Sequence, residues 1–376
     1  MTNLKAPQSK FDLLIFIGRF QPLHFGHLSV IKKASELSNN VLVLVGSANA
    51  PRSEYNPFSF EERSRMITDA IVEADTNINK SIADHVLVKP LNDVLYNDRA
   101  WIAETQKIIY STIENDLPIT ENIKKIGLIG HNKDNSSYYL KIFPNFNEVS
   151  VEGVKLASSG ALLSSKMIRE RMFQHGTNTH DDDITPFHEM SDVMPTSVRK
   201  HVARIWQTVA LRELLGEFIF TNKYKKIWET TPYPVTFTTV DAIVECNGHI
   251  LMVKRGDFPG KGKLALPGGF LGQDETLFDG TLRELTEETQ ISLPRKVLIG
   301  AVTSKQAVAF DDPHRSSRGR TITHAFHFKL NEKSLPKVKG GDDASAAMWV
   351  PIAMLTPQAC FEDHGHIIRR MLELSP

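Results

Sequence analysis

Between residues 11 and about 175, short apolar, β-branched runs alternate with stretches in which apolar positions recur every three to four residues. LLIFI (13–17), VLVLV (41–45), HVLVK (85–89) and KIGLIG (125–130) read as strands, with helices predicted from His27, from about Phe58 and around Trp101. Strands alternating with helices form a parallel sheet covered on both faces, so an α/β doubly wound parallel sheet is expected. Such sheets bind ligands where strands hand over to helices. From Gln174 to Pro195 the chain turns polar and irregular, with three consecutive aspartates at 181–183, which reads as a solvated connection. Val198, Val202, Ile205 and Val209 then keep a helical spacing on one face, predicting helix over 196–229 that either half can claim. After TPYP (231–234), strand-like alternation takes over in Val235–Val244, Ile250–Val253, Leu298–Thr303 and Thr321–Leu330, and a helix is predicted at 363–373. This half is expected to be α+β. The predicted division is 1–185, a connection over 186–230, and 231–376.

Length alone predicts about two or three domains, because 376 residues exceed what one hydrophobic core usually holds. Lys plus Arg and Asp plus Glu both number 44, so no whole-chain attraction to nucleic acid or an anionic membrane is expected. Cys246 and Cys360 are the only cysteines, too few for a disulfide framework or a cysteine metal site, and are expected to be buried thiols. The polar start of the chain, with no apolar run beyond strand length, suggests neither a signal peptide nor a membrane span. The expectation is a cytoplasmic protein acting on small molecules, with neither nucleic acid nor membrane as partner. Homo-oligomer formation is left open.

GRFQPLHFGH (18–27) supplies the first chemistry. Gly18, Arg19, Pro22, His24, Gly26 and His27 lie between a buried-strand pattern and a helix start, where free backbone N–H groups suit a nucleotide phosphate. Two histidines three residues apart can face the same phosphates. Nucleotidyl transfer needs in-line placement and positive donors more than covalent chemistry, and Arg19, His24 and His27 supply such donors. The competing reading is a chance histidine pair on a core helix.

This stretch resembles the nucleotidyltransferases that carry an H-x-G-H signature, a family with a doubly wound, Rossmann-like fold. Their second signature is a Ser/Thr-rich helix start ending in arginine, and LSSKMIR (163–169) is similar to it, with Lys166 where many members have threonine. The resemblance implies an ATP site lined by Gly18, Phe20, Gly26, Ser164 and Ser165, the serines capping the helix and Arg169 reaching the β- or γ-phosphate. GSANAPRSEYNPFSFEER (46–63) resembles the archaeal-type nicotinamide mononucleotide (NMN) adenylyltransferases, whose N-P-F is matched by Asn56, Pro57 and Phe58, which implies Asn56 in the NMN site. Physically, Asn56 can also cap a helix, Pro57 suits its first turn, and Ser59 with Glu62 has capping-box spacing. NDVLYNDRAWIAE (92–104) is similar to the family's NMN pocket, which implies that Asp93 binds polar groups of the substrate and Trp101 stacks on the nicotinamide. A flat cationic ring on an indole face gains about 0.5–2 kcal/mol. The competing reading makes Trp101 an ordinary core residue of its helix. An arginine that some members carry before N-P-F is Tyr55 here, which leaves Arg52 as the substitute phosphate contact.

GFLGQDETLFDGTLRELTEETQI (269–291) fits the Nudix box at Gly269, Glu275, Arg283, Glu284, Leu285, Glu287, Glu288 and Ile291, with Gln290 in place of the final glycine. Glu284, Glu287 and Glu288 share one helix face, while Phe278, Leu282 and Leu285 fall roughly opposite to anchor it. Three clustered carboxylates call for a hard cation, Mg2+ or alternatively Mn2+, and Arg283 is expected to brace them chiefly through Glu275. Gly280 within the helix reads as an imperfection. PGGF before the box and AAMWVP (346–351) after it resemble the same family. The second half as a whole is similar to the Nudix half of bifunctional NMN adenylyltransferase/Nudix proteins, with Arg315, Arg318 and Arg320 as candidates for a diphosphate substrate. The resemblance implies NAD synthesis from ATP and NMN, and hydrolysis of ADP-ribose to AMP and ribose 5-phosphate. Two alternatives stand beside it: adenylylation of nicotinic acid mononucleotide next to a Nudix domain of other specificity, and a Nudix-based ADP-ribose sensor.

Overall fold

The computed structural model describes residues 11–75, 81–117, 123–131, 143, 145–176, 187, 189–341 and 344–374. The chain divides into two compact units, Met1–Asp93 with Arg99–Leu215, and Val94–Asp98 with Gly216–Pro376. Half of the polar stretch read as a solvated connection, including Asp181–Asp183 and the expected boundary at 185, lies outside the described residues. Of the rest, Gln174–Gly176 end a helix, and Phe187, Met190, Val193 and Met194 are buried, because these apolar side chains pack inward instead of facing solvent. Among the described residues no helix is long and apolar enough to cross a membrane.

The first unit runs β1 (Phe11–Gly18), α1 (Phe25–Leu37), β2 (Ser38–Val45), α2 (Phe60–Ala74), β3 (Val86–Pro90), α3 (Asp98–Asn115), β4 (Ile126–Gly130), β5 (Asn147–Ser150), α4 (Ser165–Gly176) and α5 (Thr196–Trp206). Its strands pair in the order β3-β2-β1-β4-β5, all parallel. The apolar runs of β1 and β2 are buried on both faces, as a parallel sheet under helices requires. Leu13, Ile15, Ile17, Leu42, Leu44, Ile109 and Leu128 form the core on one face. The chain crosses to one side of β1 for β2 and β3 and to the other for β4 and β5, so the segments that leave β1 and β4 open on the reversal point.

Two helix starts differ from expectation. α1 begins at Phe25, two residues before His27, because His24 is its N-cap and accepts from the Gly26 N–H through Nδ1. α2 is capped by Ser59, which forms a full capping box with Glu62, and Asn56 lies outside the helix. The predicted helix over 196–229 is two, α5 and α6 (Val209–Trp228), broken at Gln207–Thr208 where Thr208 bonds back to the Ile205 carbonyl. Val198, Val202 and Ile205 are buried as the spacing predicts, but Val209 is 62% exposed because the break ends the shared face. The boundary between units, Leu215/Gly216, falls inside α6.

The second unit continues with β6 (Phe237–Cys246), β7 (His249–Arg255), β8 (Leu264–Ala265), β9 (Gly268–Phe270), α7 (Leu277–Thr289), α8 (Arg295–Ala301), β10 (Val308–Phe310), β11 (Thr321–Leu330), β12 (Ala344–Pro351) and α9 (His364–Met371). The sheet runs β10-β11-β6-β7-β12, with β8 on β7 and β9 on β6, and β6/β11 is a parallel pair in an otherwise antiparallel arrangement. Leu282 and Leu285 of α7 and Leu298 of α8 cover one face, and Ile367 and Ile368 of α9 the other. Cys246 and Cys360 are buried free thiols, one in each of these layers. Leu298–Thr303, predicted as a strand, is mostly α8. Pro294 takes its N-cap position, and an apolar run this short does not decide between helix and strand by periodicity. Only Val302 keeps a bridge, to Phe328.

Candidate active sites

Three sequence segments meet at the head of β1. Gln21, 1% exposed, donates to the Phe58 carbonyl and accepts the Phe58 N–H, which fixes the GRFQP turn to the N-P-F segment. Arg169, on the second turn of α4, donates to the Gln21 carbonyl at 2.7 Å, and the Ser165 hydroxyl donates to the Pro22 carbonyl. Burial, then the nearby Arg19 charge, lowers the Arg169 pKa to about 10. The serines therefore divide their work: Ser164 accepts from the Met167 N–H as a cap, and Ser165 ties α4 to the first motif. His24 is buried and stacks on His27, ring centroids 3.8 Å apart, with Phe20 packed on His27 at 4.8 Å. Gly26 permits that stack, since a Cβ there would lie 2.9 Å from the His24 ring. Gly18 ends β1, and the exposed Arg19 follows it.

The candidate NMN residues are placed unequally. Asn56 has a buried Oδ1 with no hydrogen-bond partner among the described residues, a site that a ligand donor would satisfy. Asp93 is held through its backbone, N–H and carbonyl both bonded to the Asn49 amide. Trp101 is partly buried against the core face of the sheet. Arg52 is engaged locally, forked onto Glu62 and bonded to the Pro57 carbonyl. Sequence reading missed Arg63. Its guanidinium, buried and lowered to about 10 by that burial, donates to the carbonyls of Ser59, Arg19, Gly46 and Ser47.

In the second unit Arg283 organises the acidic helix. It grips Glu275 through Nε and Nη2 at 3.0 and 2.7 Å, and its Nη1 bridges Glu284 and Glu287, both at 2.9 Å. Those bonds hold the Glu275 carboxyl down at about 2, together with the Gly272 N–H. Glu284 and Glu288 go the other way. Burial raises both; the charges of Glu287 and Glu275 add to the rise at Glu284 against the pull of Arg283, and Glu288, beside the Glu284 charge, is pushed up to about 8 although it accepts the Gly268 N–H. Gly269 lies against this group so closely that a Cβ would meet Glu284 Oε1 at 2.5 Å. Among the described residues no three acidic, histidine or cysteine side chains already converge as metal ligands. Carboxylates whose proton affinity is raised by burial and by neighbouring carboxylates nonetheless fit a cation as the missing counter-charge. Gln290 does take the left-handed cap that the box gives to glycine, φ 43°. Gly280 has a packing role, because a Cβ would press on Leu271 at 3.0 Å.

A cavity beside Glu288 is lined by Arg255, Arg315, Arg318, Asp241, Glu362 and His364. Arg315 is buried and paired with Asp363, Arg318 lies over the Phe270 ring at 5.1 Å, and Arg320 is outside the cavity, bonded to the Asp311 carbonyl. Asp241 and Arg255 were missed in the sequence. A charge inside the buried TTVDAIV strand was the available signal for Asp241, which accepts the Thr323 hydroxyl.

Residues 15–171 match the cytidylyltransferase-like family and residues 235–371 the NUDIX domain. The nicotinamide/nicotinic acid mononucleotide adenylyltransferase of Acinetobacter baylyi is 38% identical over 45% of this chain and 84% of its own. The ADP-ribose pyrophosphatase of Methanocaldococcus jannaschii is 37% identical over 35% of this chain and 69% of its own. The crystal structure of a bifunctional NMN adenylyltransferase/ADP ribose pyrophosphatase from Francisella tularensis, complexed with AMP and Mn ion, superposes with a TM-score of 0.81 at 33% identity, covering 96% of this chain and 99% of that one. The chain belongs to this bifunctional family. Within it, the doubly wound sheet is the nucleotidyltransferase part and the second unit the Nudix part, as the motifs implied.

Proposed function

We propose that the first unit transfers the adenylyl group of ATP to NMN, giving NAD and pyrophosphate, and that the second hydrolyses ADP-ribose to AMP and ribose 5-phosphate. The likeness to the Francisella protein, which spans both sites along nearly the whole chain, carries the pairing of the two activities. In the first reaction an NMN phosphate oxygen bonds to the α-phosphorus of ATP as the bond to the bridging oxygen breaks. Arg19, His24, His27 and Arg169 stabilise the spreading charge. The backbone N–H groups expected to be free at the start of α1 are instead bonded within the fold, Phe25 to the Val193 carbonyl and Gly26 and His27 to His24. Asn56, Asp93 and Trp101 are assigned to NMN, while Arg52, forked onto Glu62, is assigned to holding the start of α2.

In the second site Glu284, Glu287 and Glu288 would hold divalent cations, Mg2+ by preference, which neutralise the diphosphate and polarise water. Arg283 orients two of them, Glu284 and Glu287, through its Nη1. Arg315 has Nε and Nη2 committed to Asp363, which leaves Nη1 as its donor to a diphosphate oxygen in the cavity. Arg318 offers a cation beside the Phe270 face.

The test supplies the full chain with ATP, MgCl2 and either NMN or nicotinic acid mononucleotide, and separately with ADP-ribose, and separates the products by chromatography. Glu287→Gln is expected to abolish AMP release from ADP-ribose while leaving NAD formation intact. Equal loss of both reactions sinks the two-site assignment, and no dinucleotide from either mononucleotide sinks the first. Binding of ADP-ribose without turnover would favour the sensor alternative.

A further inference from the structure

Asp363, 2% exposed, takes Arg315 Nε and Nη2 at 3.0 and 2.9 Å. Its Oδ2 also accepts a hydrogen bond from the Tyr96 hydroxyl, a partner 267 residues away in the sequence. Tyr96 belongs to Val94–Asp98, the short stretch between β3 and α3 that forms part of the second unit. Its ring packs edge-on to Phe310, centroids 4.9 Å apart, against the layer that contains Ile367 and Ile368. The backbone at Tyr96 is left-handed, φ 65°, a conformation that a bulky residue keeps only where surrounding contacts enforce it.

The geometry around Asp363 is more than an ion pair. A fork from arginine to carboxylate fixes the two groups in one plane but leaves the pair free to rock together as a unit. A third bond, from a hydroxyl whose ring is wedged against Phe310, removes that freedom. The carboxylate oxygens have lone pairs enough for all three donors. We propose that Tyr96 is a positioning residue of the hydrolase cavity, holding Asp363 so that Arg315 meets an anionic oxygen of the bound diphosphate. This rests on the reading of Arg315 given above. A stretch contributed by the adenylyltransferase half of the sequence thus tunes substrate binding at the Nudix site.

Tyr96→Phe keeps the ring on Phe310 and removes only the hydroxyl. In the full chain with magnesium, KM for ADP-ribose is expected to rise about 3- to 10-fold, with kcat changed less than about twofold and the melting temperature lowered by only a few degrees. Arg315→Lys keeps a charge in place and should raise KM by itself. If Tyr96 acts through Arg315, the double variant resembles Arg315→Lys alone. Factors that multiply in the double variant overturn the proposal, as does a Tyr96→Phe enzyme with wild-type KM beside a weakened Arg315→Lys. If neither variant moves KM, the assignment of Arg315 to the diphosphate falls and the positioning role falls with it.

Discussion

Replacing Arg63 by lysine isolates how far adenylyl transfer depends on a residue that no substrate need touch. Arg63 is 1% exposed and reaches four carbonyls: Ser59 at 3.1 Å, Arg19 at 2.7 Å, Gly46 at 2.6 Å and Ser47 at 3.1 Å. These belong to the turn after β1, the turn after β2 and the start of α2, so one guanidinium plane fixes three segments. Lysine retains the charge, but its three hydrogens radiate from one nitrogen and cannot span that set. Two or more carbonyls then lose a charged donor, a loss of about 2–4 kcal/mol locally. The backbone that carries Arg19 relaxes as a result, and a misplacement on the order of 1 Å in such a site lowers rates by about 100-fold. The expected result is a fall of about 10- to 100-fold in kcat/KM for NAD formation. ADP-ribose hydrolysis by the same preparation serves as control, since the hydrogen-bond partners of Arg63 all lie in the first unit. NAD formation within about twofold of the parent would show that those turns hold themselves, and the positioning argument would be lost.

Two further outcomes follow from the second unit. Gly269→Ala places a methyl 2.5 Å from Glu284 Oε1, so ADP-ribose hydrolysis should drop by about an order of magnitude or more while NAD formation is unchanged; wild-type hydrolysis would mean that the carboxylate moves aside freely. His364, buried and accepting the Leu266 N–H through Nδ1, has its pKa pushed down to about 3, chiefly by that burial. Its unfolded value is about 6.5, so the stability that the neutral ring contributes is complete above that pH and declines as pH falls toward 3, by up to about 1.4 kcal/mol per pH unit. Urea melts of the second unit between pH 7 and 5 should be steeper in pH for the parent than for His364→Asn, whose amide oxygen replaces Nδ1; identical slopes would remove His364 as the cause.

The sequence carried the strands and the acidic helix because both rest on local periodicity. LLIFI and VLVLV are apolar enough to be buried on both faces, and the zero, three, four spacing of Glu284, Glu287 and Glu288 needs only helix geometry. The misplaced features arose where local preference is nearly balanced. Leu298–Thr303 is apolar in either conformation, and Asn56 and Ser59 are both able caps until Glu62 closes the box on Ser59. Contacts between distant residues left no local trace: Gln21 with Phe58, Arg169 with Gln21 and Arg63 with Arg19 all depend on which strands become neighbours. Arg320 shows the converse. Its place in a basic run made it look equivalent to Arg315 and Arg318, but only those two line the cavity.

The position of Leu215/Gly216 inside α6 bears on how the two activities can be inherited or separated. Past that point the helix still serves the second unit: Glu217 accepts the Gly260 N–H at 2.8 Å, and Tyr224 and Trp228 pack on Phe237. A gene split at residue 231, where the strand pattern begins, would leave those groups and Tyr96 on the wrong product. Recombination that exchanges the hydrolase half with a relative keeps these contacts to Gly260, Phe237 and Asp363 only if it carries the end of α6 and a matching 94–98 stretch. The two halves are separable as chemistries but not as contiguous lengths of message.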